Sequence, residues 1–380
     1  MSKYNKLFSE YTINNRVVSN RLMAQAMEIN QAGENGTVTG PVIERYRQLA
    51  RGGWGIVSLE AVSVTPESLA RPSGLIINQK NLDGFKRLVE AFKKENDNSL
   101  LIFQLTHSGR QSGSFSRRVK VYDDNDDTCQ LLTADELSHI SHQFHSAVEL
   151  SHLAGADGVD IKACHGYLLG EMLRPANDRS DGYGNDARGR TRILHDVFKK
   201  ASSDFPNLII GSRISLYEGI RGGCGTAGPD ELVEDTTDMM SCIGIMKDAG
   251  AHYINISAGI PAVTPHVTRP VKTNSFFLYY HFRYQKLVKE KFPALTVMGS
   301  AYSSGGEYAF SLAEENIAKG YVDIAGFGRQ NLADPMTPRK IMDGERDPVH
   351  YCTLCSGCSR LLKKFQPVHC IVYDKDNTHE

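Results

Sequence analysis

Short apolar stretches alternate with longer amphipathic ones along almost the whole chain. Several of the short stretches are continuous runs of β-branched and aliphatic residues, which are typical of parallel strands buried on both faces. We predict eight strands, at Val17–Met27, Ile56–Val64, Leu100–Thr106, Gly158–Ala163, Leu208–Ile214, Tyr253–Ser257, Leu295–Ser300 and Asp323–Phe327.

The amphipathic stretches between these strands have the spacing of helices. Apolar residues recur at helical intervals over Leu82–Lys94, and Thr133 and Glu136 have the capping-box spacing at the start of Thr133–Leu153. Further helices are predicted at Pro41–Arg51, Asp230–Asp248 and Ser304–Lys319. Eight alternations of strand and helix indicate a (β/α)8 TIM barrel, since no GxGxxG follows a strand as a Rossmann sheet requires.

Composition agrees with an ordinary globular protein. The 380 residues are 41% hydrophobic and 23% charged, and the formal net charge of −1 predicts no nucleic-acid or membrane partner. The sequence has no secretory signal and no apolar run of the roughly 18 residues that a membrane span needs, so we expect a cytoplasmic location. We predict a barrel over residues 1–345, with a short C-terminal segment, residues 346–380, packed on it.

Polar side chains gather where the predicted strands end. Gln104 lies near the end of the third strand, Lys162, His165 and Tyr167 come at the end of the fourth, and Arg213 lies in the fifth. Active sites of TIM barrels are built at the carboxyl ends of the strands. We therefore expect these side chains to share one pocket.

The seventh and eighth strands end in residues that suit a phosphate. Gly299 and Ser300 follow the seventh strand, and Gly328 and Arg329 follow the eighth. Glycines let backbone amides approach an anion, and arginine adds charged donors. Barrels often bind phosphate at these two loops.

Four of the eight cysteines lie close together, in the pattern Cys352-x2-Cys355-x2-Cys358-x11-Cys370. Disulfides are disfavoured in a chain without an export signal. Four thiolates can bind either a tetrahedral zinc ion or an iron–sulfur cluster. Three close cysteines and a distant fourth are more typical of a 4Fe–4S cluster, so we predict that cluster and keep zinc as the alternative.

Six stretches run in order through the predicted barrel: NRLMAQAME (20–28), SLEA (58–61), QLTHSGR (104–110), LAGADGVDIKACHGYLLGEML (153–173), NDRSDGYG (177–184) and GFGRQNLADP (326–335). In sequence and in order they resemble the motifs of the Old Yellow Enzyme family, flavin-dependent oxidoreductases built on a β/α barrel. The pair HGYL and N-x-R-x-D-x-YG is the most specific of them.

The resemblance implies a role for each matching position. Residues expected to bind FMN are Ala26, Met27, Glu28, Ala61, Gln104 at the pyrimidine edge, Arg213 beside N1 and the C2 carbonyl, and Gly299, Ser300, Gly328 and Arg329 at the phosphate. Tyr167 matches the proton donor, and Lys162 and His165 match the pair that binds the substrate carbonyl oxygen.

The sequence departs from the family at two of these positions. Lys162 stands where the family usually has histidine or tyrosine, and Glu28 stands where many members have cysteine or threonine. Both differences put the standard enone substrate in doubt. His107, Arg110 and His266 are weaker candidates for the site.

The cysteine segment resembles one branch of the family, which includes 2,4-dienoyl-CoA reductase and trimethylamine dehydrogenase. In that branch a 4Fe–4S cluster after the barrel passes electrons between FMN and a C-terminal dinucleotide domain. The sequence ends ten residues after Cys370, so we expect this domain to be absent and leave open a redox partner protein in its place.

These observations predict an FMN-dependent reductase that uses NAD(P)H and a small-molecule substrate. The expected substrate is an α,β-unsaturated carbonyl compound or carboxylate. Two alternatives stay open: an amine or alcohol dehydrogenase of the same fold, and an electron-transfer flavoprotein subunit that needs a partner. A homo-oligomer is also left open.

Overall fold

The computed structural model describes residues 4–270, 275–344 and 348–374. Eight parallel strands close into a barrel and follow one another around the ring in chain order. They are β1 (Leu22–Ala24), β2 (Ile56–Ser63), β3 (Leu100–Thr106), β4 (Gly158–Ile161), β5 (Ile209–Ser215), β6 (Tyr253–Ser257), β7 (Thr296–Gly299) and β8 (Ile324–Phe327). This closed barrel confirms the predicted fold.

Helices surround the barrel. The longer ones are α1 (Gly40–Arg51), α2 (Leu82–Glu95), α3 (Ala134–Leu153), α4 (Arg192–Asp204), α5 (Thr237–Asp248), α6 (Ser275–Lys291), α7 (Ala309–Ala318) and α8 (Thr337–Asp343). Short helices lie at Leu168–Met172, Ala187–Arg190, Pro265–Thr268, Arg329–Ala333 and Gly357–Lys363. Within the described residues, no helix is long and apolar enough to span a lipid bilayer.

Several helix boundaries follow from local chemistry. The predicted capping box is present, since Thr133 and Glu136 bond each other's backbone amides at the start of α3. The predicted start at Asp230 is wrong, because α5 begins at Thr237, whose amide is capped by the Asp235 carboxylate at 2.9 Å. The predicted start at Ser304 is also wrong, because a 3-10 turn covers Tyr302–Tyr308 and α7 begins at Ala309.

The predicted strand Val17–Met27 is too long. Its first two residues belong to a hairpin of Tyr11–Ile13 and Arg16–Val18, and only β1 enters the barrel. Asn20 separates the two elements, because its side-chain oxygen accepts hydrogen bonds from the amides of Leu22 (3.1 Å) and Gly55 (3.0 Å). The hairpin contributes buried apolar residues to the cluster inside the barrel.

Apolar side chains fill the lower part of the barrel and leave its upper part polar. The inner cluster comprises Ile13, Val18, Met23, Ile56, Leu100, Ile102, Ile209, Tyr253, Met298 and Ile324. A side chain at Gly211 would collide with the Tyr253 ring, because an added Cβ would lie 2.5 Å from it. The interior is therefore a packed core below the carboxyl ends of the strands.

Residues 348–374 fold back onto the mouth of the barrel. The Cys352 amide donates to Gln330 Oε1 at 2.9 Å, and the Asn30 side chain donates to the carbonyl of Phe365 at 2.6 Å. The Val368 amide donates to the carbonyl of Ile29 at 2.9 Å. These bonds join the segment to the loops after β1 and β8. The predicted domain boundary between residues 345 and 346 lies outside the described residues.

Candidate active site

A cavity of about 440 Å³ opens at the carboxyl ends of the strands. The predicted site residues that line it are Ala26, Met27, Glu28, Ala61, Gln104, Lys162, His165, Tyr167, Arg213, Ser300, Gly328 and Arg329. Gly299 lies just outside the lining, where its carbonyl accepts a hydrogen bond from the Gln25 side chain at 3.1 Å. The structure thus brings together side chains that are up to about three hundred positions apart in the sequence.

At one end of the cavity, the chain that follows β4 presents three polar side chains, those of Lys162, His165 and Tyr167. His165 and Gly166 both have positive φ, at 61° and 74°, so the chain reverses directly after β4. The amide of His165 donates to Ser215 Oγ at 3.0 Å, which fixes this turn against the end of β5. Tyr167 then stands at the N-terminus of the short helix that follows.

Tyr167 is at the centre of this end of the cavity. Its hydroxyl donates to a Glu28 carboxylate oxygen at 3.4 Å, and the Lys162 ammonium lies 3.4 Å from the centre of its ring. Burial, with the Glu28 charge, raises the pKa of the Tyr167 hydroxyl. The hydroxyl is therefore protonated at neutral pH and has a proton to donate.

The neighbouring bases are shifted in the other direction. Burial lowers the pKa of Lys162, and the Glu28 carboxylate opposes the shift. Burial, together with the charges of Arg213 and Lys162, holds the pKa of His165 well below its usual range. His165 is thus a neutral imidazole at neutral pH, and its Nε2 lies 2.7 Å from Ser257 Oγ.

A buried polar network forms the floor of the cavity. Arg213 donates to Gln25 Oε1 at 3.1 Å and to Ser257 Oγ at 3.4 Å, while Gln25 and Asn255 exchange hydrogen bonds of 3.0 and 2.9 Å. Gln104 donates to Asp160 at 3.4 Å, and burial raises the pKa of this aspartate to about 6. The Arg213 Nε atom is buried with no hydrogen-bond partner among the described residues.

The opposite end of the cavity has the features expected of an anion site. Arg329 donates through Nη2 to Ser304 Oγ at 2.9 Å, and its Nη1 is buried with no hydrogen-bond partner among the described residues. Close packing requires the nearby glycines. An added Cβ at Gly326 would lie 2.1 Å from the side-chain nitrogen of Gln25, and one at Gly328 would lie 3.2 Å from Met27 Sδ. An anion would supply the acceptor that Arg329 lacks.

The three weaker candidates do not line the cavity. His107 is buried and accepts the Gly109 amide at 3.2 Å, and burial lowers its pKa to about 3. Arg110 forms ion pairs with the buried Glu171 and with two aspartates of the acidic loop at residues 123–127. The His266 ring packs against Phe277, with centroids 5.1 Å apart. All three have structural partners instead.

Sequence reasoning missed part of the lining. The residues it did not single out are Gln25, Arg71, Gln111, Pro261, Ala262, Thr268, Arg269, Ala301, Ser303, Ser304, Gly326, Ser359, Leu362, Lys363, Phe365 and Val368. Gln25 could have been found, since it directly precedes the predicted flavin positions Ala26, Met27 and Glu28. The residues of the C-terminal segment gave no comparable signal, because only the return of the chain over the barrel brings them to the cavity.

The four clustered cysteines lie on the C-terminal segment as free thiols, and Cys358 also lines the cavity. Two contacts bring the chain around Cys370 against the chain around Cys352 and Cys358. The Tyr373 hydroxyl donates to the carbonyl of Tyr351 at 3.2 Å, and Gly357 packs on Ile371 so closely that an added Cβ would lie 2.4 Å from it. Even so, no three His, Cys, Asp or Glu side chains in the described parts of the chain are arranged to bind a metal ion.

A closed barrel of eight parallel strands, with a polar cavity at their carboxyl ends, is the architecture of TIM-barrel enzymes. The model of the NADH:flavin oxidoreductase / NADH oxidase family matches residues 6–347, and the chain belongs to this family. It is therefore a flavin-dependent oxidoreductase, in agreement with the resemblance to Old Yellow Enzyme.

Individual relatives agree with this assignment. The chain is 28% identical to an NADH oxidase of Thermoanaerobacter brockii over 94% of its own length, but it spans only 54% of that protein. It is also 28% identical to an NADPH dehydrogenase of Clostridium acetobutylicum, over 87% of this chain and 92% of the relative. An Old Yellow Enzyme homologue from Zymomonas mobilis shares the fold, with a TM-score of 0.74 at 19% identity, over 97% of this chain and 98% of that one.

Glu60 makes the stability of the protein depend on pH. It is 2% exposed, one of its oxygens accepts the Ile29 amide at 2.9 Å, and the other has no partner among the described residues. Burial raises its pKa from 4.5 to about 8. Because the folded state binds this proton more tightly than the unfolded state, stability should fall as pH rises from about 4.5 through about 8.

We expect Glu60→Gln to remove this dependence. The variant should match the wild type near pH 5 and exceed it above pH 8, by up to a few kcal/mol, as the linkage relation predicts. Thermal unfolding from pH 5 to 9 measures the difference, and Glu90→Gln on the exposed face of α2 is the control. If the stability of Glu60→Gln and of the wild type changes in parallel with pH, the pKa of Glu60 is not raised in the folded protein.

Proposed function

We propose that the protein is an FMN-dependent, NAD(P)H-consuming reductase of carbon–carbon double bonds conjugated to a carbonyl or carboxylate group. One observation carries this proposal: a single cavity has an anion site at Arg329, unpaired donors at its floor, and a buried tyrosine acid at its other end. In a flavin mononucleotide the phosphate would use the first feature and the ring the second, which leaves the third for a substrate.

The cavity fits FMN on chemical grounds. Arg329 Nη1 and Arg213 Nε are both buried donors that lack an acceptor among the described residues. A phosphate would satisfy the first, and the carbonyl edge of a flavin ring would satisfy the second. Gly328 and Ser300 line the same cavity as Arg329, so their backbone lies beside the phosphate position. Gln104, Ala26, Met27 and Ala61 would contact the ring.

The remaining polar residues suit the reduction of an activated double bond. FMN, when bound, would supply the hydride chemistry for such a substrate. Tyr167, protonated at neutral pH, donates a proton to the α-carbon. His165 and Lys162 hold the substrate oxygen on which negative charge develops, and Ser257 keeps the His165 ring in place.

The C-terminal segment supports a second cofactor as part of the same proposal. Four free thiols, with the sequence spacing of a four-cysteine metal site, lie on this segment, and its two halves contact each other beside the cavity. Thiolates are the ligands of both 4Fe–4S clusters and structural zinc, and three close cysteines with one distant favour the cluster. Loading would draw the four sulfur atoms closer together than they are here. A separate redox partner is compatible with this arrangement.

An amine dehydrogenase is the second candidate function. Glu28 favours it, because this carboxylate lies beside Tyr167 and could bind a substrate ammonium group. Two cations weigh against an amine substrate, because Lys162 and Arg71 line the same cavity and would repel an ammonium group. Turnover with primary and tertiary amines, compared with turnover of enoates, separates the two functions.

We predict that the purified protein contains tightly bound FMN that is released on denaturation. Arg329→Met should lower FMN affinity about 10- to 100-fold, because a phosphate loses charge-assisted hydrogen bonds. Titration of the flavin-free protein with FMN measures this, and Arg339→Met, an exposed change on α8, is the control. Release of FAD, or a wild-type protein that binds no flavin, would contradict the prediction.

Anaerobic preparations should contain about four irons and four sulfides per chain. Cys355→Ser should lose them and loosen the C-terminal segment, because metal binding contributes to folding. Iron and sulfide analysis with limited proteolysis measures both effects, and Cys129→Ser, outside the segment, is the control. One zinc per chain with no iron would instead identify a four-thiolate zinc site.

Tyr167→Phe should slow only one of the two half-reactions. Reduction of the flavin by NAD(P)H needs no proton from this hydroxyl and should be nearly unchanged. Reoxidation by an enoate should slow by roughly 10²–10⁴, the usual contribution of a positioned general acid. Stopped-flow absorbance resolves the two steps, with Tyr183→Phe as the control. Reoxidation at the wild-type rate would assign the proton to another donor.

A further inference from the structure

The cavity carries more positive charge than one flavin phosphate requires. Among the described residues that line it, six are cationic and one is a carboxylate: Arg71, Lys162, Arg213, Arg269, Arg329 and Lys363, against Glu28. Arg213 and Arg329 are assigned to FMN under the proposed function. Arg269 lies near Arg329. Burial is the main cause of the lowered pKa of Arg269, and the positive charge of Arg329 adds to it. Arg71 and Lys162 are the cations nearest the Tyr167 end: the charge of Arg71 acts on the Tyr167 hydroxyl, and the Lys162 ammonium lies over its ring.

Arg71 has a donor that lacks an acceptor. The residue lies on the loop after β2, and its Nη1 donates to the carbonyl of Ala70 at 2.8 Å. Its Nε is buried and has no hydrogen-bond partner among the described residues. An orphaned guanidinium nitrogen on a cavity wall is costly unless a ligand supplies an acceptor.

The position of Arg71 relates it to the reacting groups. Burial is the main cause of the lowered pKa of Lys162 and the raised pKa of Tyr167, and the nearby charge of Arg71 acts on both. Arg71, Lys162 and Tyr167 also line the same cavity, so the guanidinium lies within reach of a ligand at Tyr167. Glu28 also faces this end, but one carboxylate cannot balance two cations.

We propose that Arg71 and Lys162 form a carboxylate-binding subsite, so that the substrate is an α,β-unsaturated carboxylic acid rather than a neutral enone or ester. The inference rests on the proposed function and narrows its substrate class. Guanidinium nitrogens match the geometry of a carboxylate, and the Lys162 ammonium adds a point charge on the oxygen that gains electron density.

The reaction balances with this substrate. The α–β double bond gains a hydride at the β-carbon and the Tyr167 proton at the α-carbon. NAD(P)H is oxidised to NAD(P)⁺, one proton is taken from water to restore Tyr167, and the product is the saturated carboxylate. The carboxylate keeps its charge throughout, so Arg71 binds substrate and product alike.

Binding tests the subsite without turnover. Calorimetry compares benzoate with benzamide, a neutral ligand of the same shape, on the protein as purified. We expect wild type to bind benzoate more tightly, and Arg71→Gln to weaken benzoate about 10- to 100-fold while leaving benzamide within about twofold. Arg71→Lys should restore part of the loss. Arg87→Gln, which removes an exposed charge on α2, should change nothing.

Three outcomes would overturn the subsite. The first is equal affinity for benzoate and benzamide. The second is benzoate binding that Arg71→Gln leaves unchanged. The third is Arg71-dependent binding of inorganic phosphate in preference to benzoate, which would point to a phosphorylated substrate such as a coenzyme A ester.

Turnover separates this inference from the proposed function. With reduced protein, cinnamate should reoxidise the flavin faster than methyl cinnamate, and Arg71→Gln should reverse the order. Faster reaction of the ester in wild type overturns the subsite alone. If neither compound reoxidises the flavin, the proposed function fails, while the benzoate measurement still decides whether the subsite exists.

Discussion

A continuous hydrogen-bonded network across the mouth of the barrel determines the arrangement of the site. It runs from Asn255 on β6 through Gln25 after β1 to Arg213 on β5, and then through Ser257 to His165 after β4. Buried polar groups are stable only when nearly all of them are paired, so each member limits the positions of its neighbours. The network thereby joins the floor of the cavity to the turn that carries the catalytic candidates.

The burial that this network requires also sets the protonation states. Low solvent access disfavours charge, and the fixed charge of Arg213 adds to this effect at His165. The same burial keeps Tyr167 protonated. A neutral imidazole and a protonated phenol side by side can each donate a hydrogen bond, whereas an imidazolium would compete with the tyrosine as the acid. The barrel therefore determines the protonation states of these residues as well as their positions.

The fold and the strand-end residues were predictable from sequence, and the walls of the cavity were not. Buried parallel strands leave a strong local signal, and the position of Gln104 or Lys162 at a strand end follows from that signal alone. Arg71 lies on a loop with no periodic pattern, and Phe365 reaches the cavity only because the chain returns over it. Helix starts such as that of α5 depended on one capping side chain, which hydrophobic spacing does not reveal.

The loop after β1 links the barrel wall to the C-terminal segment through a single residue, Ile29. The Ile29 amide donates to the buried Glu60 carboxyl group on β2, and the Ile29 carbonyl accepts from Val368 on the C-terminal segment. Glu28, which precedes it, contacts Tyr167. The position of Glu28 relative to Tyr167 therefore depends both on the barrel wall and on the cysteine-bearing segment. A change that loosens this segment would therefore act on Tyr167 through Ile29 and Glu28, without altering any residue of the barrel.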